Sequence, residues 1–252
     1  MIVINGVEYS SAVLAGMIDY AILDPDTTEN VVREACKTAI QYRFKGVHPN
    51  PYWVALVADL LEGTGIETGA VLSFPFGANP TSFKVHEAKE MVKVLKGRPA
   101  CIDMVTNIGR LKSKDYAFYT DDIASVVAVG HDAGLEVKSI LEVALLTDDE
   151  VKVACECAVK AGVDFVKCST GRGGNPAIKH VRIMRQTVPP HVGVKFSGYG
   201  SYNPAQLTIM AIAAGATRLG TRRGPQIISE IEQHFSGLSV NEKEDPVLTH
   251  HS

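Results

Sequence analysis

The chain lacks most of what would mark it for secretion, a membrane or a nucleic acid. Its five cysteines are an odd number in 252 residues, and Cys155-Glu156-Cys157 lies in a helical pattern at a spacing unlike a zinc knuckle. A disulfide framework is not indicated, and a reducing cytoplasm is the expected setting. Nowhere do 18 apolar residues run together, and the opening Met1-Ile2-Val3-Ile4-Asn5-Gly6 has no basic region followed by a long apolar stretch, which argues against a spanning helix and a secretion leader. The net charge of -3, with acids and bases interspersed, gives no footprint for nucleic acid or an anionic membrane. None of the eight histidines forms a His-x-His or His-x3-His pair, so no metal site is expected. Low-complexity linkers are absent, and periodicity breaks down only in a polar segment, 239–252. One domain over 1–238 with a frayed C-terminal tail is the expected organisation.

What the chain does have is alternation. Short β-type runs near 16–21, 46–48, 68–73, 100–105, 136–142, 164–167, 193–195 and 218–220 are separated by amphipathic helical stretches. Thr27-Thr28-Glu29-Asn30 and Thr147-Asp148-Asp149-Glu150 read as helix starts, the second as a capping box, and Pro204 opens another helix. Ala133-Gly134, Ala161-Gly162 and Ala214-Gly215 read as helix stops that lead into strands. Eight strand-helix units predict an α/β single-domain (β/α)8 TIM barrel of ordinary length, with chemistry at the carboxyl ends of its strands.

Two strands run straight into lysine. Phe165-Val166-Lys167-Cys168-Ser169-Thr170-Gly171 and Val192-Gly193-Val194-Lys195-Phe196-Ser197-Gly198 each carry an apolar run into an amine, then into small hydroxyl and glycine residues. Desolvation and the mutual repulsion of two ammoniums both favour the neutral amine, and a neutral lysine attacks carbonyl carbon. Asp103 interrupts the apolar run Cys101-Ile102-Asp103-Met104-Val105, where an acid is costly unless paired. Beside two lysines it reads as a group that positions one of them and exchanges protons. Two loops suit an oxyanion: Ser169-Thr170-Gly171-Arg172-Gly173-Gly174 after the sixth strand, and Gly220-Thr221-Arg222-Arg223-Gly224 after the eighth, leading into a helix. Thr170, Gly171, Arg172, Ser197, Gly198, Thr221, Arg222 and Arg223 are therefore the candidate phosphate-binding residues.

At these residues, and at Ser73-Phe74-Pro75-Phe76-Gly77-Ala78-Asn79 and Thr106-Asn107-Ile108-Gly109, the sequence resembles the deoxyribose-phosphate aldolases over about 18–224. The resemblance implies a cofactor-free class I aldolase that cleaves 2-deoxyribose 5-phosphate to glyceraldehyde 3-phosphate and acetaldehyde. It implies that Lys167 forms the imine, that Lys195 lowers its pKa, and that Asp103 shuttles protons with Lys195 and a water. Asp19 and Glu142 match supporting positions, and His48 stands where the family has a cysteine. A small-molecule sugar phosphate or aldehyde is the implied partner, with a homodimer as the implied assembly.

The departures concentrate at the phosphate end. Asp19-Tyr20-Ala21 lacks a hydroxyl of the family pattern, Tyr199 interrupts a glycine pair in Ser197-Gly198-Tyr199-Gly200-Ser201, and Arg222-Arg223 replaces two serines. A tyrosine there is expected to keep a phosphate from the backbone. An aldolase with a different acceptor aldehyde, and a non-catalytic binding protein on an aldolase scaffold, remain open at this level.

Overall fold

The computed structural model describes residues 1–200, 202 and 204–241. Its strands are β1 (Ile2–Ile4), β2 (Val7–Tyr9), β3 (Ile18–Ile22), β4 (Gly46–Pro49), β5 (Glu67–Leu72), β6 (Ala100–Val105), β7 (Glu136–Ile140), β8 (Phe165–Lys167), β9 (Gly193–Ser197), β10 (Arg218–Thr221) and β11 (Ser239–Val240). Strands β3 to β10 pair in parallel and in sequence order, and β10 returns to β3 to close an eight-stranded barrel. These are the eight predicted strands, with their ends shifted by at most two residues.

The helices start where local chemistry satisfies their free amides. The Thr28 hydroxyl accepts from the Val31 amide to open helix Glu29–Tyr42, and Thr147 with Glu150 forms the predicted capping box of helix Asp148–Lys160. Helix Pro204–Ala213 opens on its proline. No helix among the described residues is long and apolar enough to cross a membrane.

Period-two alternation sorts each barrel strand into two faces. In β6, Ile102 and Met104 join the apolar core between sheet and helices, and so do Val194 and Phe196 in β9 and Leu219 in β10. The alternate residues Asp103, Lys195 and Ser197 point into the barrel and are buried there. Register then places chemistry: Lys167 of β8 is the direct cross-strand partner of Lys195 of β9, and Asp103 of β6 that of Lys138 of β7.

One boundary differs from expectation. Ser239 and Val240, read as the start of the tail, form β11 and pair in parallel with Val3 and Ile4 of β1, which itself forms an antiparallel hairpin with β2. Main-chain hydrogen bonds from Val3 to Leu238 and from Asn5 to Val240 fix this three-stranded sheet, so the folded unit runs past residue 238. The rest of the segment read as a tail, 242–252, and Ser201 lie outside the described residues.

Candidate active site

The inward-facing residues at the carboxyl ends of the barrel strands form a buried cluster of charges. Lys167 Nζ and Lys195 Nζ both donate to the same oxygen, Asp103 Oδ2, at 2.8 and 2.7 Å. Lys195 also pairs with Asp19 Oδ2 at 2.5 Å. All four side chains are buried, and Lys167 has the greatest exposure at 5%. One carboxylate oxygen therefore couples the two amines, where the sequence reading had it positioning one of them.

Lys167, the more exposed of the two amines, has a weakened hold on its proton. Burial and the neighbouring Lys195 ammonium push Lys167 below the ordinary lysine value, against the upward pull of Asp103. Burial pushes the Asp103 carboxyl upward, but Lys167, Lys195, His48 and Lys138 more than reverse that and hold it well below the usual range. Asp19 is likewise held low by Lys195, His48, Lys138 and Arg218 against the effect of its burial.

His48 sits among these groups. Its Nε2 lies 3.4 Å from Lys195 Nζ, 3.4 Å from Asp103 Oδ1, 3.7 Å from Asp19 Oδ2 and 3.6 Å from Cys101 Sγ. Burial, with Lys195 beside it, lowers its pKa, which favours the neutral ring. The ring fits because position 69 on the adjacent strand is glycine: a Cβ there would stand 2.2 Å from the imidazole. His48, Cys101 and Asp103 bring three metal-ligand types within 4.8 Å of one another. The Lys195 ammonium contacts two of them, so a cation placed there would meet a fixed positive charge, and the donor set does not suit a metal.

Beneath this layer lies a second one that the sequence reading missed. Arg218 Nη1 reaches Asp19 Oδ1 at 3.1 Å and Glu67 Oε2 at 3.3 Å, and Lys138 Nζ reaches Glu136 Oε1 at 2.7 Å and Asp103 Oδ1 at 3.5 Å. Both cations occupy strand positions of the inward parity, a signal available from period-two counting alone. They hold Asp19 and Asp103 from below.

Toward solvent the cluster opens into a cavity of ≈ 50 Å³ lined by Lys167, Lys195, Ala21, Ser197 and Gly220, and then into a mouth of ≈ 120 Å³. Thr170, Gly171, Arg172, Gly198, Thr221 and Arg222, six of the candidate phosphate-binding residues, line the mouth together. Ala21 lines both spaces, so the missing hydroxyl is missing at the site itself. The buried carboxylate of Glu142 accepts from the Thr170 amide and hydroxyl and clamps the loop that follows Lys167. Ser197 Oγ donates to the Ser169 carbonyl at 2.7 Å and ties that loop to the one after β9.

The two loops meet backbone to backbone. Gly171 and Gly198 have φ of +83° and +79°, and a Cβ on Gly198 would lie 2.7 Å from the Gly171 amide nitrogen. No side chain fits in this seam. Tyr199 does not build the expected obstruction. It borders the mouth, but its ring is buried, stacked 4.4 Å from Phe196, with its hydroxyl 3.3 Å from Thr208 Oγ1 in the helical layer. Arg223 stands apart from the other candidates: its Nη1 donates to Gln226 on its own helix, and it lines neither space. A further mouth residue the sequence reading missed is Asp24, which bonds Arg172 and Arg222.

No family model matches the chain. Curated relatives do. The chain is 42% identical over 218 residues to the deoxyribose-phosphate aldolase of Thermococcus kodakarensis, covering 85% of this chain and 95% of that protein. It is 44% identical over 214 residues to the enzyme of the same name from Enterococcus faecalis, covering 84% and 94%. Among solved structures it superposes on the deoxyribose phosphate aldolase of Aeropyrum pernix, described as a unique tetramer, with TM-score 0.81, 26% identity and coverage of 89% and 93%.

Proposed function

The chain belongs to the deoxyribose-phosphate aldolase family, and from that premise we propose that it is a Schiff-base aldolase reversibly cleaving 2-deoxy-D-ribose 5-phosphate to D-glyceraldehyde 3-phosphate and acetaldehyde. The observation that carries this reading is the sharing of Asp103 Oδ2 by Lys167 and Lys195. Lys167 is the nucleophile: its pKa is depressed, and it is the more exposed of the two amines. It adds to the aldehyde carbon C1. Protonation of the adduct's hydroxyl and its departure as water give the protonated imine on Nζ.

The surrounding charges favour that cation. Lys167 and Lys195 face two carboxylates, Asp19 and Asp103, so a neutral Lys167 leaves this layer one positive charge short. The iminium restores the charge balance in a buried site, where Coulomb terms are large. Acetaldehyde carries two of the five sugar carbons, so the bond that breaks is C2–C3. The C3 hydroxyl loses its proton, the carbonyl of glyceraldehyde 3-phosphate forms, and the bonding pair moves through C2 into the iminium to give an enamine. Protonation at C2 and hydrolysis then free acetaldehyde and Lys167. Asp103, with Lys195 and a water, is the proton carrier, and His48 packs against that pair as a positioning residue.

At the other end, Arg172 and Arg222, with the loops that carry Gly171 and Gly198, hold the phosphate. A homodimer belongs to the same reading, supported by the large apolar side chains Tyr52 and Phe76, which are 84% and 75% exposed. So does a reducing, cytoplasmic setting, supported by five cysteines that are all unpaired and buried.

Borohydride reduction in the presence of acetaldehyde, and separately of 2-deoxyribose 5-phosphate, followed by intact-mass and peptide mapping, tests the reading. A reduced adduct on Lys167 with both compounds is the expected result. Absence of any adduct, or an adduct confined to another lysine, overturns it.

A further inference from the structure

The mouth carries a carboxylate of its own where an anionic ligand would sit. Asp24 follows β3 and divides its two oxygens between two guanidiniums: Oδ1 accepts from Arg172 Nη2 at 2.8 Å and Oδ2 from Arg222 Nη1 at 2.6 Å. The three residues come from the loops after β3, β8 and β10, and all three line the same space. Two acceptor oxygens, each on its own guanidinium, is also the arrangement by which a phosphate engages an arginine pair.

The backbone holds Asp24 in place while leaving its carboxylate free to turn. Its main-chain carbonyl accepts from the Thr27 hydroxyl at 2.7 Å and the Asn50 amide at 3.0 Å, whereas its side chain is 40% exposed. The carboxylate can swing into water by side-chain rotation alone. Arg172 keeps an anchor when this happens, because Nη2 also donates to the Leu23 carbonyl at 3.2 Å. With Asp24 in place the trio carries one net positive charge; without it, two.

We infer that Asp24 is an internal competitor for the substrate phosphate: a phosphorylated aldehyde must displace its carboxylate from Arg172 and Arg222, so Asp24 sets how far phosphorylated aldehydes are preferred over unphosphorylated ones. This rests on the reading of the mouth as the anion end of an aldolase site. An Asp24 that merely oriented the arginines would have the opposite effect, since its removal would then weaken phosphate binding.

The test is calorimetric titration of inorganic phosphate into the full chain and into its D24N variant, alongside kcat/KM for 2-deoxyribose 5-phosphate and for 2-deoxyribose. Two solvent-facing ion pairs released together predict phosphate binding about three- to tenfold tighter in D24N. The ratio of kcat/KM for the phosphorylated over the unphosphorylated sugar rises by the same factor. Unchanged or weaker phosphate binding in D24N overturns the inference, as does phosphate binding by neither protein. Calorimetry needs no turnover, so the two readings fail separately. Tighter binding without an adduct on Lys167 sinks the aldolase reading alone, and an adduct without tighter binding sinks the competitor alone.

Discussion

The floor and the mouth of this site use the same materials, cations set against carboxylates, to different ends. At the floor, Lys167, Lys195, Asp19 and Asp103 are buried, and stranding one charge of such a pair costs about 3–5 kcal/mol. At the mouth, Asp24, Arg172 and Arg222 have 40%, 38% and 63% of their side chains exposed, where an ion pair contributes about 0–1 kcal/mol. The floor therefore fixes protonation states, and the mouth can exchange partners with a ligand. Depth of burial, more than residue type, separates a salt bridge that tunes chemistry from one that a substrate can open.

The hardest test of this contrast is Lys167→Leu. Turnover should fall by about ten thousandfold or more, since the covalent intermediate is lost, while thermal unfolding stays cooperative because Asp103 keeps Lys195 as its partner. Retained turnover would break the comparison at its root.

A smaller but more diagnostic effect is expected from Lys195→Met: a loss of about a hundredfold in kcat, with the acid limb of the pH–rate profile displaced upward. The sign follows from the neighbours. Lys167 must be neutral to attack, so activity rises with pH through its pKa, which lies below the ordinary 10.5. Removing Lys195 deletes a cation that lowers that pKa and leaves Asp103, which raises it. A kcat/KM profile with an unmoved limb would reduce Lys195 to a packing role.

Arg172→Gln should have the smallest effect, raising KM for 2-deoxyribose 5-phosphate by about threefold to tenfold with kcat and Lys167 trapping retained. Loss of kcat or of trapping in this variant would mean that the two ends are not separable.

The fold was legible because its signals are local and repeated. The barrel strands are short β-type runs set between amphipathic helical stretches, and helix starts such as Thr147-Asp148-Asp149-Glu150 announce themselves. The lysine pair was legible because strand parity and strand ends are one-dimensional facts. The hairpin β1–β2 was readable but overlooked: Asn5-Gly6 between two short β-type triplets is a two-residue turn signal, and both residues have positive φ. The pairing of β11 with β1 joins opposite ends of the sequence and leaves no local trace. Asp24 was not legible for a related reason. Its meaning lies in two arginines far along the chain, and only closure of the barrel brings the loops after β3, β8 and β10 to one rim. The direction of Tyr199 likewise depends on Phe196 and Thr208 rather than on its place between two glycines.

The glycine seam between the loops after β8 and β9 has a consequence for how such a site can change. Gly171 and Gly198 touch through their backbones, so neither position offers a route by which substitution could reshape the pocket. Variation reaches the pocket through the side chains around that seam, which lean inward over a fixed frame. On the proposed reading, a library aimed at new acceptor aldehydes has its productive positions at Asp24, Arg172 and Arg222, which line the mouth and make no contact with Lys167.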